Sequence, residues 1–471
     1  MSIRSIHAFS DDALGDHDAV GLAQELRAGR LDRSEVVDAA IARAQRVEPE
    51  LGAIAAECFS SVISTSQVSA DAPFAGVPTF IKDTMHVAGL PTRQGSAALG
   101  NVGAARQTSP IAQQLLDMGL VCLGKSTMPE FGLTASTEFP DRPATRNPWN
   151  LDHSAGGSSG GAASLVAAGV VPIAHGGDGG GSIRVPAAAC GLVGLKASRG
   201  RLLPNPKARF LPVKIIIDGV LTRSVRDTAA YFAAAERAFR APGLAPIGAV
   251  ERPLDRPLRV AATIDTPGKG EVDAATKREF AATMRLLEEL GHRVEPATIP
   301  VDEQFVSDFV HYWSLMAFAL ERLGPRLLDP GFDRSKLTSL TTGLARQFRS
   351  NLAATPGAVM RLRGSSKVSE RFFEKYDVVL TPTVCHLPPR IGELSTSLPF
   401  AKLFPCVERW IGYSAWANAT GGPSISLPLG FDEPSQLPVG MMFGARFGGE
   451  RLLLELALQL EAARPWRRRS D

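Results

Sequence analysis

The sequence predicts one large α/β domain that carries a helical elaboration. Three observations lead there. Residues 258–299 read as strand, helix and strand; short apolar runs bounded by Gly and Pro recur from residue 73 onward; and no internal repeat or long low-complexity linker separates modules. A length of 471 residues is enough for a sizeable core, although length alone would allow about three domains.

The elements follow in chain order. Apolar residues fall at helical spacing over 19–28 and 34–47, with Ser34 placed as an N-cap before "EVVDAAIARAQRV". The runs "GVPTFIKD", "GLVCLGKS", "AAGVVPIAHGGD" and "ACGLVGLKAS" then read as buried strands with tight turns. "LRVAATI", "DAATKREFAATMRLLEELG" and "HRVEPATI" form a βαβ unit, which implies parallel pairing. Helical patterns fill 305–362, "YDVVLTPTV" and "GGPSISLPLG" return to strands, and "GGERLLLELALQLEAA" closes the chain as a helix. The expected subdivision is therefore 1–70 (N-terminal helices), 71–240 (core), 241–365 (βαβ and helical elaboration) and 366–471 (C-terminal strands and helix).

Composition excludes several function classes. Charged residues make up 21 % and the net charge is +3, so nothing calls for nucleic acid as a partner. The five cysteines are scattered, with no CxxC and no paired histidines nearby, which disfavours a disulfide framework or a bound metal. No apolar run of about 18 residues suggests a membrane span, and the N-terminus lacks a secretory signal pattern. The expectation is a cytoplasmic chain without cofactor.

Two motifs tempt and fail. "GLVCLGKS" (119–126) spells a phosphate-binding loop, yet Leu-Val-Cys-Leu between its glycines belongs in a strand, not in an open turn of convergent N–H groups. Gly156, Ser158 and Gly160 spell a nucleophile elbow, which needs an apolar strand immediately before it; "RNPWNLDHSAG" offers none. An esterase using Ser158 in that way is the weaker reading.

Ser182 stands in "DGGGSIRVPA", where three glycines let successive N–H groups approach a substrate oxygen. The apolar "AASLVAAGVVPIA" between the two Gly-Ser clusters is long enough for a helix and a returning strand that bring both turns to one sheet end. Lys82 ends a strand-like run, and burial there would lower its pKa toward neutrality. His175 precedes the glycine turn at a strand end and is read as structural.

Lys82 in "GVPTFIKD", "GGSSGG" around Ser158 and "DGGGSIRVPAAACGLVGLKAS" around Ser182 resemble the amidase signature family, and within it bacterial amidases akin to 6-aminohexanoate cyclic-dimer hydrolases. "GKSTMPEFG", "TRNPWNLDHSAGGSSGG", "YDVVLTPT" and "NATGGPSISLPLG" extend the likeness along the chain. The resemblance implies a mixed central β-sheet with helices on both faces, a cis Gly157–Ser158 peptide, and hydrolysis of carboxylic amides through an acyl-enzyme. It assigns Ser182 as nucleophile, Ser158 as proton relay and Lys82 as terminal base. The N–H groups of Gly179, Gly180, Gly181 and Ser182 become the oxyanion hole, and Ser159, Asp178 and Arg184 support them. Gly179 departs from the threonine many members carry, which leaves the backbone donor in place. No metal or cofactor is implied.

Outside these motifs, Phe309, Tyr312, Trp313 and Met316 on one helical segment and Trp410, Tyr413, Trp416 and Asn418 on another could line an apolar substrate pocket, with Tyr312, Trp313, Trp416 and Asn418 as the foremost candidates. A small-molecule amide is the expected partner, and homodimer formation is left open. The competing function is an amidotransferase subunit that passes ammonia within a tRNA-dependent complex, an activity the family also contains.

Overall fold

The computed structural model describes residues 3–64, 72–205, 208, 211–268 and 270–468. The chain begins with α1 (Ala19–Arg27) and α2 (Arg33–Leu51), then β1 (Ile54–Glu57), β2 (Pro78–Lys82), α3 (Pro110–Asp117) and β3 (Val121–Ser126). The hairpin β4 (Arg146–Asn147) and β5 (Asn150–Ser154) leads to α4 (Gly160–Ala167), β6 (Ile173–Asp178), α5 (Arg184–Cys190), β7 (Val193–Lys196), β8 (Ile217–Thr222) and α6 (Val225–Ala238). The expected βαβ unit is β9 (Arg259–Ala262), α7 (Ala274–Glu289) and β10 (Arg293–Pro296). Next come α8 (Glu303–Leu327), α9 (Ser339–Ser350), α10 (Thr355–Lys375), β11 (Val378–Pro382), α11 (Phe400–Trp410), α12 (Ala415–Thr420), β12 (Ser424–Asp432), β13 (Leu437–Ala445) and α13 (Glu450–Ala463).

Eight strands form the central sheet in the order β10-β9-β11-β13-β12-β7-β8-β6. It is mixed: β10, β9 and β11 run parallel, as the strand–helix–strand pattern requires, and every other pairing is antiparallel. Helices flank this sheet, and its largest apolar cluster runs from Leu22 and Val36 through Leu165, Leu195 and Ile425 to Leu453. A second, three-stranded sheet, β1-β3-β2, carries Lys82 at the end of β2.

Three local expectations are corrected. The N-cap of α2 is Asp32, whose carboxylate accepts the Ser34 N–H; Ser34 lies inside the first turn. A strand does precede the Ser158 turn, namely β5, but it pairs with β4 and bridges Arg390 through His153, and it stands outside the central sheet, so it cannot present an elbow there. His175 sits in the middle of β6, not at its end. The "GLVCLGKS" segment is strand β3 as expected, and Lys125 within it is fully buried, bonded to Asp83 Oδ1 at 2.8 Å and Thr92 Oγ1 at 3.0 Å. The boundary between residues 70 and 71 falls outside the described residues.

Candidate active site

Lys82 reaches the site because β2 buries all five of its residues and releases the lysine at its last position. Its Nζ lies 2.8 Å from Ser158 Oγ, 2.8 Å from Ser159 Oγ and 3.1 Å from the Gly177 carbonyl oxygen. Burial lowers its pKa to about 7, although Asp218 and Asp178 nearby pull it upward. A neutral amine has two N–H groups and one lone pair. The Gly177 carbonyl can only accept, and Ser159 Oγ already donates toward that carbonyl, so both take N–H groups from Lys82. The lone pair is left for the Ser158 hydroxyl proton.

Ser158 follows the cis Gly157–Ser158 peptide and precedes α4, whose first turn contains Gly160 and Gly161. Facing it is Gly132, the last residue of "GKSTMPEFG", a stretch quoted for the family likeness but not placed in the site. Gly132 has φ 73°, and a Cβ added there would stand 3.0 Å from Ser158 Oγ. Only glycine leaves room for the hydroxyl at this point.

Ser182 lies between β6 and α5, half-buried, and its carbonyl accepts the Ser159 N–H at 3.2 Å. The glycine turn before it is fastened by Asp178. One carboxylate oxygen accepts the Gly181 N–H at 2.8 Å and the other the Ile183 N–H at 3.1 Å. Gly181 is thus withdrawn from the expected oxyanion donors, since its N–H already has a partner. Among the described residues no protein group accepts the N–H of Gly179, Gly180 or Ser182.

Arg184 grips Asp178 with two bonds of 2.9 Å, and its remaining N–H groups bond Asn418 Oδ1, Ser424 Oγ and the Ser414 carbonyl. Burial works against the Asp178 carboxylate, but the Arg184 charge overcomes it and holds the group below the usual carboxylate range. Ser159, expected as a supporting residue, touches the lysine amine directly.

The expected substrate pocket is largely displaced. Asn418 is 1 % exposed and spends its amide on Asp178 and the Ile215 carbonyl, which makes it scaffold. Tyr312 is buried, its hydroxyl bonded to both the N–H and the carbonyl of Val213. Trp416 packs on Phe372 and Phe373 and lines a cavity that reaches neither Ser158 nor Ser182. These three are spent on packing because each has a buried polar or aromatic partner. Trp313 packs on Phe404 within a cluster that includes Leu133, Ala135 and Val185, beside the serines. Phe309, from the same aromatic helical segment, does stand beside the glycine turn: a Cβ at Gly180 would touch its ring at 3.6 Å.

Among the described residues no helix is long and apolar enough to cross a membrane. Comparison with known proteins matches the Amidase family over residues 35–454. A protein named putative amidase AmiC from Mycobacterium tuberculosis (strain ATCC 25618 / H37Rv) is 48 % identical over 98 % of both chains. Two solved structures share the fold. A 6-aminohexanoate cyclic dimer hydrolase complexed with substrate aligns at TM-score 0.84 and 31 % identity, covering 96 % of this chain and 98 % of that one. A bacterial aryl acylamidase of the amidase signature family aligns at TM-score 0.81 and 25 % identity, covering 96 % of each chain. With the match spanning nearly its whole length, the chain belongs to the Amidase family, enzymes that hydrolyse carboxylic amide C–N bonds.

Proposed function

We propose that the chain cleaves small amides through a Ser182 acyl-enzyme, with Ser158 relaying the proton and Lys82 as terminal base. The observation that carries this reading is the buried Lys82 Nζ, 2.8 Å from Ser158 Oγ, with its other polar contacts arranged to leave the lone pair for that hydroxyl. Ser158 passes its proton to Lys82 as it takes the Ser182 proton, and Ser182 Oγ attacks the amide carbonyl carbon. The carbonyl π electrons move to oxygen, where the N–H groups of Gly179, Gly180 and Ser182 receive the charge; each such donor is worth about 3 kcal/mol in the transition state. The C–N bond then breaks as the proton returns through Ser158 to the leaving nitrogen. Water, deprotonated by the same relay, releases the carboxylate and regenerates Ser182.

Phe309 beside Gly180, with Trp313 in the cluster next to the serines, supports an apolar group on the acyl or amine side of the substrate. Aryl amides and short linear or cyclic aliphatic amides fit that chemistry. The test is labelling with a fluorophosphonate serine probe followed by peptide mapping, with Lys82→Ala alongside. Label on Ser182 that vanishes in the variant is the expected result. Label on Ser158 with Lys82 dispensable would overturn the assignment.

A further inference from the structure

Beside Lys82 lies a buried pair that the proton relay does not use. His175 on β6 is 1 % exposed and Asp218 on β8 is 4 % exposed. The backbone N–H of Lys82 donates to His175 Nδ1 at 3.2 Å. A ring nitrogen accepts only when it carries no proton, so this bond fixes a neutral imidazole with its hydrogen on Nε2. Nε2 stands 3.3 Å from Asp218 Oδ1 without the alignment of a full hydrogen bond. The other carboxylate oxygen accepts from Asn205 Nδ2 at 2.9 Å.

The same carboxylate also lies close to the lysine amine. Gly177 stands opposite Asp218 in the β6–β8 register, and a Cβ at Gly177 would sit 3.1 Å from Asp218 Oδ1. The carbonyl of that glycine is the one bonded to Lys82 Nζ. A charge so placed, with both side chains buried, acts on the amine at lower effective dielectric than in water.

We propose that Asp218 and His175 are positioning residues for Lys82: the imidazole holds the backbone from which the amine extends, and the carboxylate stabilises the ammonium formed when Lys82 takes the Ser158 proton. This rests on Lys82 being the base and deepens that reading. The other charges around the pair are already engaged. Asp178 on β6 is paired with Arg184 on α5, Asp83 after β2 is paired with Lys125 on β3, and Lys196 on β7 is bonded to the Ala197 carbonyl. On α2, which packs against β2, buried Arg43 is paired with Asp12 and Glu48 accepts the Ala53 and Ile54 N–H groups. α4 brings no titratable side chain, and Tyr231 on α6 is within electrostatic reach of Asp218. Asp218 is therefore the carboxylate left to answer the lysine's change of charge.

The sign of the effect is fixed. Asp218 favours protonated Lys82, so removing its charge lowers the pH at which the amine becomes a base. The experiment follows kcat/KM for an acyl anilide over roughly pH 5 to 9, in wild type, Asp218→Asn, Asp218→Glu, His175→Ala and Lys82→Ala, with thermal midpoints in parallel. The expected result is an acid limb displaced downward by about one pH unit in Asp218→Asn and restored in Asp218→Glu. His175→Ala should lower kcat roughly tenfold and leave substantial hydrolysis, whereas Lys82→Ala nearly abolishes it. If the asparagine variant does not fold, Asp218→Ser carries the same reading. An unmoved limb in a folded neutral variant, with Lys82→Ala inactive, would overturn this inference alone. Substantial activity in Lys82→Ala would overturn the base assignment and this inference with it.

Discussion

Ser159 and Ser158 bond the same amine at the same distance, yet their chemistry differs. Ser159 Oγ also accepts the Gly177 N–H, so its hydroxyl is tied to the strand, while Ser158 projects toward Gly132, where no side chain competes. In the proposed relay Lys82 therefore has one proton donor in position, and the rate would depend on its own protonation state. With a pKa near 7 the lysine is protonated, and inactive as a base, at mildly acidic pH. The rate constant kcat/KM should accordingly climb tenfold per pH unit below about 7 and level off above it. Lys82→Ala should remove that limb along with roughly 10²- to 10⁴-fold of activity, measured on a slow anilide so that acylation sets the rate. A wild-type limb lying instead near the ordinary lysine range would mean that burial does not hold the amine neutral, and a limb that persists in Lys82→Ala would mean the amine is not the titrating base.

The Gly179–Ser182 turn is held in shape from beneath by Asp178, and Asp178 in turn by elements distant in sequence. Arg184 comes from α5, Asn418 from α12 and Ser424 from β12, so the turn is a junction of three elements. Asn418→Ala would leave the Asp178 and Ile215 carbonyls short of a donor and Arg184 short of an acceptor. Each such loss costs about 1 to 3 kcal/mol in a buried setting, so the variant should lose about 3 kcal/mol of stability by urea unfolding. A change in KM for bulky amides without loss of stability would return Asn418 to the pocket. This junction also marks how far the sequence could be read. The β6–α5 unit was legible because Gly clusters and apolar runs are local signals, as was the β9–α7–β10 crossover. Lys82, Ser158 and Ser159 were picked out by their motifs, and the structure brings the lysine amine within 2.8 Å of both serine hydroxyls. The role of Asn418 was not, because its partners lie 203 and 240 positions away and no spacing rule connects them. Strands β8 and β13 were missed for a related reason: "IDGVLT" and "LPVGMMFGA" carry glycines that read as turns until neighbouring strands pair with them. The aromatic segment 305–320 was legible as a source of pocket residues, but which of Phe309, Tyr312, Trp313 and Met316 stands at the glycine turn was not, since the contact of Phe309 with Gly180 arises only when α8 docks.

Across the molecule, the price of holding one neutral lysine in the interior is visible at a second site. Lys196, at the end of β7, is fully buried, and among the described residues its Nζ makes one hydrogen bond, to the Ala197 carbonyl at 2.8 Å. Burial, reinforced by the Arg184 charge and opposed by Asp178 and Glu450, lowers its pKa to about 7. The unfolded chain holds that proton up to about pH 10.4, so the two states differ in protonation between about 7 and 10. In that window the unfolded state binds more protons, and stability rises with pH by about 1.4 kcal/mol per unit from this group. Below about 7 both states carry the charge and the full penalty of burying it applies. Lys196→Met removes the charge and keeps an unbranched side chain of similar reach, and comparing it with wild type cancels every other titrating group. Met should therefore be the more stable variant at neutral pH, with an advantage that shrinks by about 1.4 kcal/mol for each pH unit above about 7. Urea midpoints of the two proteins across roughly pH 6 to 9 measure the difference directly. A constant difference would show that Lys196 titrates alike in both states, and that Asp178 and Glu450 stabilise its ammonium enough to offset burial and the Arg184 charge.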